Sequence, residues 1–473
     1  MVFLLWSQLM LHCFSKTVTY GYAPITFPRD PVLFNQYAEH ILIGQILMPL
    51  IETDREGNLV AGIAKSWELS EDGKKITFTL KNKEFSNGKK ITSEDVKYTL
   101  KRNIALKSQS SEYLRNIIDI KALDGILIIT LRQKDMTLLK ALTRDQLGIV
   151  PSGWKFDEKS DQPFIGSGDY NLIRKDLKWF LIRNDKSNEK KLDFELLFYK
   201  NEEYHIEKQL PTIAPYTNST ELKSLKALNG SDTYLLTDTP SFTQNLFWVT
   251  KNSSLYRNPS DRYRVTTALN EALIEYLKNN DLLEATGIIP IGIPGSLTAK
   301  IQSSKPKNYV HSAKEIIYNF FYLAGSHEKF INSQALKNSS EKHKIKINFT
   351  PYSISEDLKN KIGSADIIAT TFAGGFNDPM GFIGILNKTF SIPFEDYLPD
   401  DIKVYYIDAQ YEQNWVKRTK LFELLNSKIM MNNFCVAGWR PRKYAFTSPE
   451  VKIDPVLYRY TPRLINYSVN NPK

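Results

Sequence analysis

Between residues 46 and 102 the apolar positions follow first a period of two and then a period near four. Ile76, Phe78 and Leu80 alternate with Lys75, Thr77 and Thr79, as a half-buried strand requires. Ser70-Glu71-Asp72-Gly73 ahead of them is turn chemistry, because Asp tolerates turn backbone angles and Gly supplies positive φ. Asn87-Gly88 marks a second turn. Thr92, with Asp95 three residues on, reads as a capping-box helix start, and Val96, Leu100 and Ile104 follow on one helical face. The rest of the chain continues the mixture. Residues 17–23 read as a first strand entering Pro24, and 39–50 as a helix through Ile43, Ile46, Leu47 and Leu50. Residues 117–131 read as a hairpin turning at Asp124-Gly125, and 191–199 and 241–250 as strands. Asp261 has N-cap chemistry for a helix whose buried stripe is Val265, Leu269 and Leu273. Residues 313–324 read as an amphipathic helix and 344–352 as an alternating strand. Residues 365–371 form an apolar run suited to a strand buried on both faces of a parallel sheet. A helix at 415–430 and a returning strand pair at 436–447 close the chain. Such a mixture over 473 residues is an α/β chain, too long for one ordinary core.

A hydrophobic share of 42% and a mean hydropathy of -0.34 describe a soluble globular chain. The net charge of +10 comes from lysines interleaved with acids, without a basic block of five or more. That pattern is a solvated surface, so no nucleic-acid partner is expected. No apolar run after residue 14 approaches the length that spans a bilayer. Residues 1–15 are a candidate signal segment, apolar but without Lys or Arg ahead of the apolar stretch; a buried N-terminal segment is the alternative. Cys13 follows Met10-Leu11-His12, which are not the small residues of a lipobox. Cys435, between Phe434 and Val436, reads as a buried small hydrophobe.

Enzyme chemistry finds little support. The six histidines are scattered, without an HExxH or a His/Cys pair at ligand spacing, and there is no G-x-S-x-G elbow. No cofactor or metal is expected. The adjacent carboxylates Glu202-Glu203 and Asp400-Asp401 read as solvated charge. The glycines of residues 164–170 (FIGSGDY) fit a tight backbone path. A phosphate cradle would want GK[ST] and a helix after them, whereas YNLIRKD looks like a strand.

The order of these pieces carries a family resemblance. Leu50, Gly57, Ala64, Ser66-Trp67, Asp72-Gly73, Phe78, Leu80, Phe85, Asn87-Gly88, Ile91-Thr92 and Glu94-Asp95-Val96 stand in the pattern L-x-x-x-G … A-x-S-W, D-G-x-x-x-x-F-x-L, F-x-(D/N)-G-x-x-(L/I)-T-x-(E/D)-D-V. Asp261, Arg262 or Arg264, Val265, Ala268-Leu269 and Ala272-Leu273 fit a second run, F-x-D-x-R-V-R-x-A-(L/I)-x-x-A-(I/L). FIGSGDY resembles a P-x-G-T-G-P-Y crossing, with Ser167 for Thr and Asp169 for Pro. The chain thereby resembles the bacterial extracytoplasmic solute-binding proteins (family 5) that deliver dipeptides, oligopeptides or nickel to ABC importers. Two departures stand out. The usual Pro before the Ala is replaced in LVAGIA, and no G-E-(I/L/V)-D element is recognisable in residues 200–240.

The resemblance implies a two-lobed periplasmic-binding-protein-like fold, type 2 and peptide-binding class, with an accessory α/β lobe. Lobe I would comprise 16–47, 166–245 and 436–473, the accessory lobe 48–165, and lobe II 246–435. It implies a monomer, periplasmic or otherwise extracytoplasmic and membrane-associated if Cys13 is lipidated, that closes on a peptide-like ligand and meets an ABC permease. Candidate ligand-binding residues are Tyr22 and Phe27 beyond the first strand, Phe372, Phe376 and Asp378, and Trp439 with Arg440. Arg440 would hold a carboxylate while Trp439 covers an apolar group. Each aromatic has a core-packing alternative, Arg440 a surface-charge one, and Asp378 an N-cap one ahead of Pro379. Counting back from Asp378-Pro379, the family's amine-binding Asp falls on Gly375, so that role is not carried over. Other readings are a family relative acting as a sensor or interaction partner without cargo, and a basic nucleic-acid or membrane-surface binder.

Overall fold

The computed structural model describes residues 17–22, 27–34, 37–54, 58–185, 192–198, 213–217, 238–239, 243–310, 312–353, 362–373, 378–383, 393–447, 451–453 and 467–469. The chain divides into two compact units, one of residues 1–239 with 443–473 and the other of residues 240–442.

The first unit holds a seven-stranded sheet ordered Asp238–Thr239, Lys443–Thr447, Ile213–Thr217, Thr17–Tyr22, Asp193–Phe198, Lys178–Arg183, Tyr170–Lys175. Thr17–Tyr22 runs parallel to both Asp193–Phe198 and Ile213–Thr217; the remaining pairs are antiparallel. Helix Tyr37–Ile46 packs Ile41, Leu42, Ile43 and Ile46 into the same core as Val18, Tyr20 and Phe194. It stops short of the expected residue 50. The amides of Gly168 and Asp169 cap its last carbonyls, those of Ile46 (2.8 Å) and Gln45 (3.0 Å).

A four-stranded antiparallel sheet, ordered Ala64–Leu69, Lys75–Leu80, Ile126–Leu131, Ile117–Leu123, carries the second core of this unit. Ile76 and Phe78 are fully buried, each contributing about 1.5–3 kcal/mol. The turns fall where glycine meets positive φ, at Gly73 (+68°), Gly88 (+80°) and Gly125 (+66°). Helix Ser93–Ala105 starts on the expected capping box: the Thr92 hydroxyl accepts from the Asp95 amide, and Asp95 Oδ2 accepts from the Thr92 amide at 2.7 Å. The other Asp95 oxygen accepts from the Ser152 amide at 2.7 Å, a link no local pattern announces. Val96 and Leu100 are buried, whereas Ile104 is exposed.

The second unit is built on a five-stranded sheet ordered Ile345–Tyr352, Ile316–Leu323, Ile367–Ala373, Thr243–Val249, Cys435–Ala437. The first three strands are parallel and the last two antiparallel to their neighbours. Here one expectation is overturned. Residues 313–324, read as a helix, form strand Ile316–Leu323. The run is β-branched and aromatic, Tyr318 and Phe320 alternate into one core, and tertiary pairing on both edges outweighs its marginal helical spacing. Helix Pro259–Lys278 buries Val265, Leu269 and Leu273 as expected, but its N-cap is Asn258, not Asp261. Asn258 Oδ1 accepts from the amides of Ser260 and Asp261 (3.1 Å each), with Pro259 at the first helical position and Asp261 in the first turn.

Both arginines of that helix's motif are buried clamps on backbone carbonyls. Arg264 donates to His343 (2.7 Å), Ser312 (2.9 Å), Lys314 (2.9 Å) and Lys344 (3.0 Å). Arg262 donates to Asn432 (2.9 Å) and Leu255 (3.2 Å), its guanidinium 4.1 Å from the Phe434 ring centre. Cys435 is buried, and burial pushes its thiol well above the usual range, so it packs as a hydrophobe.

Candidate functional site

In α/β sheets, loops beyond the carboxyl ends of parallel strands carry the ligand contacts, because there the chain leaves the sheet with free backbone groups and room for inserted side chains. In the first unit those ends are Tyr22, Phe198 and Thr217. Tyr22 closes the first strand; its side chain lies outside the described residues. Phe27 is half-buried, its ring 6.1 Å from Phe198, 6.3 Å from Phe164 and 6.5 Å from Phe34. Phe164 in turn lies 5.9 Å from Trp154 and 5.7 Å from Phe156, so an aromatic bed sits beside the carboxyl end of Asp193–Phe198.

The glycines of FIGSGDY serve this bed by packing. A Cβ on Gly168 would stand 2.5 Å from the Gln45 carbonyl oxygen, and one on Gly166 2.9 Å from that of Ile46. Ser167 Oγ donates to Ile149 O (2.7 Å) and accepts from Met48 N (2.9 Å). The Gly168 and Asp169 amides are spent on the helix end and the Gly166 amide on Ser86 Oγ (2.9 Å), which removes them from any phosphate cradle.

In the second unit the parallel strands end at Leu323, Tyr352 and Ala373. Phe372 stands opposite Gln244 in the register, its side chain outside the described residues, as is all of Phe376. Asp378 is buried, and its carboxylate is occupied within the fold. Arg418 holds both oxygens, with Nη2 3.1 Å from Oδ1 and Nη1 on Oδ2, and Oδ1 accepts from the Met380 amide at 2.9 Å. Asp378 therefore works as the turn-capping residue that was its alternative reading. Arg418 Nε donates to Ala409 O (3.0 Å), joining two helices to that turn.

Trp439 is 5% exposed and sits in a ring cluster with Phe330 (5.5 Å), Tyr276 (5.6 Å), His327 (5.7 Å) and Phe247 (5.9 Å), the core-packing alternative stated for it. Arg440 Nε donates to Glu284 O at 3.3 Å across the pairing of Trp439–Pro441 with Leu282–Glu284. Beside them Asn245 Nδ2 donates to Trp439 O (3.3 Å), and Asn245 Oδ1 accepts from Thr371 Oγ1 (2.7 Å).

Each unit also buries a histidine, His40 in the first and His327 in the second. Burial, with the Arg144 charge, pushes His40 down to about 3; burial pushes His327 down to about 4, its Nδ1 3.2 Å from Leu323 O. Arg418, Arg102, Gln146 and His327 were not singled out in the sequence, since their roles are fixed by partners far along the chain. Among the described residues, no cluster of three or more His, Cys, Asp or Glu is placed to hold a metal, and no helix is long and apolar enough to cross a membrane.

The mixed α/β architecture is similar to that of solved periplasmic peptide-binding proteins. Residues 58–392 match the family described as bacterial extracellular solute-binding proteins, family 5 Middle, and the chain belongs to that family. It is 28% identical over 276 residues to the nickel-binding periplasmic protein of Escherichia coli (strain K12), covering 52% of this chain and 49% of that protein. It is 34% identical over 112 residues to the dipeptide-binding protein of Lactococcus lactis subsp. cremoris (strain MG1363), covering 22% and 20%. The chain thus matches about half or less of these curated relatives. The unliganded open form of MppA, a periplasmic murein tripeptide-binding protein, superposes with a TM-score of 0.76 at 15% identity over 96% of this chain and 97% of the other, a likeness of fold.

Proposed function

We propose that the protein is the extracytoplasmic substrate-binding component of an ABC importer, capturing a peptide or peptide-like solute and handing it to a membrane permease. Its two compact units are, in this reading, the two lobes, with residues 48–165 as the accessory lobe. Closing on the solute trades hinge freedom for contacts and involves no covalent chemistry. Family membership over residues 58–392 carries the reading. Gly375, where the family's peptide binders place an amine-binding Asp, sets the expected specificity: a free amino terminus is not the main handle.

The test is mass spectrometry of what co-purifies with the native protein, followed by thermal shift against pooled di- and tripeptides and against nickel(II). A bound solute held at about a hundred times its Kd stabilises by about 2.7 kcal/mol, a readily measured rise in Tm. If no peptide and no nickel raises Tm, the transport reading fails and the cargo-free alternative takes its place.

A further inference from the structure

The segment 27–34, which follows the first strand and carries Phe27, is tied down from several sides. Arg29 pairs with the buried Glu39 of helix Tyr37–Ile46, Nη2 standing 3.0 Å from Oε2. Asp30 Oδ1 caps the turn by accepting from Val32 N (3.2 Å), and both its oxygens are gripped by Arg102, with Nη1 3.0 Å from Oδ1 and Nη2 on Oδ2. The Arg102 guanidinium also lies 5.2 Å from the Trp154 ring centre. Gln146 Nε2 donates to Pro31 O at 2.9 Å, and its Oε1 accepts from Ser110 N (3.0 Å) and Ser110 Oγ (2.6 Å). Arg144 Nε donates to that hydroxyl at 2.8 Å. Arg102 and Gln146 belong to the accessory region of the chain, and both reach the segment through polar bonds.

A loop at the carboxyl end of a strand that needs only to be closed is satisfied by its own turn bonds; one fixed by a two-toothed ion pair and a buried amide is held to a single geometry. Fixing a binding loop before the ligand arrives removes the ordering cost from the binding step. We infer that Arg102 and Gln146 are positioning residues for solute binding, acting through Asp30 and Pro31 on the segment bearing Phe27. The inference rests on the solute-binding reading above.

Two substitutions separate the ties from the fold. Asp30→Asn keeps an N-cap oxygen for Val32 and removes the charge that Arg102 grips; Gln146→Met keeps side-chain length and removes the donor to Pro31. Each is compared with the wild-type chain by calorimetry against the tightest member of an Ala-Xaa-Ala tripeptide pool or nickel(II), by Tm without ligand, and by hydrogen exchange at the amides of residues 32–34. The expected result is faster exchange there, Kd raised about tenfold, most of it in the off-rate, and Tm within about 3 °C of wild type. Unchanged Kd with faster exchange overturns the inference while leaving the solute-binding reading intact. Kd rising only in step with a large loss of Tm also overturns it, since that is a purely structural role. A wild-type chain that binds none of the probes overturns the reading itself, and the positioning role with it.

Discussion

Asp378 shows how the carboxylate of a candidate ligand residue can be occupied within the fold. Its carboxylate is 1% exposed and Arg418 2%. A buried ion pair is weak evidence for net stability, but breaking it from one side leaves an uncompensated charge. Arg418→Met is therefore expected to cost about 3–5 kcal/mol in urea denaturation of the second unit. Asp378→Asn keeps the cap on Met380 but leaves the buried Arg418 without its counter-charge, so it should cost a comparable amount; a loss near zero would mean the ion pair contributes little. The buried imidazoles make the second residue-scale prediction. Their folded pKa values, about 3 for His40 and about 4 for His327, lie below the ordinary 6.5, so the unfolded chain binds the protons more readily. Stability is full above pH 6.5 and is lost as pH falls below it, by roughly 2 kcal/mol per histidine at pH 5. His327→Gln should flatten the second unit's share of that slope between pH 7 and pH 5, read from urea midpoints; an unchanged slope would place the acid sensitivity elsewhere.

At the scale of elements, the glycine loop makes the sharpest prediction. Gly168→Ala sets a Cβ 2.5 Å from the Gln45 carbonyl oxygen and 2.8 Å from the Ile46 carbonyl carbon, both rigid backbone. The loop or the helix end must move, at a cost of about 1–3 kcal/mol or more. Ser167→Ala, which removes one bond each to Ile149 and Met48, should cost about 1–3 kcal/mol without shifting the helix, a difference visible in amide exchange at residues 45–48. The same loop marks where sequence reading stops. Its glycines announce a tight path, but only the fold tells that the tight neighbour is a helix end. Elements whose cause is local were legible: the Thr92–Asp95 capping box, the Gly125 hairpin, the Val265-Leu269-Leu273 stripe. Strand Ile316–Leu323 was not, because its decisive partners lie at residues 345–352 and 367–369 and no local period can report them. The candidate residues are no more legible: Phe27 packs on Phe164 and Phe198, and Trp439 on Phe247, Tyr276, His327 and Phe330, all more than a hundred positions away.

The whole molecule is asymmetric in how its chain is spent. Residues 240–442 are one continuous stretch that contains all five strands of their sheet and two apolar cores of their own. The other unit needs both ends of the chain, since Lys443–Thr447 lies between Ile213–Thr217 and Asp238–Thr239. Its pairs there run Ile213 to Thr447 and Ala214 to Phe446 on one side, and Asp238 to Tyr444 and Thr239 to Lys443 on the other. Cutting it away exposes Ile213–Thr217 as an unprotected edge and leaves Asp238–Thr239 without its neighbour, losing several backbone hydrogen bonds of about 1 kcal/mol net each. Residues 240–442 expressed alone are therefore expected to melt cooperatively, with the far-UV dichroism of a mixed α/β domain. Residues 1–239 alone should be less stable and prone to association, and a synthetic 443–473 peptide added in trans should recover part of the loss. A continuous unit that fails to fold by itself, or a first unit indifferent to the peptide, would show that stability is not partitioned along the boundaries at 239/240 and 442/443.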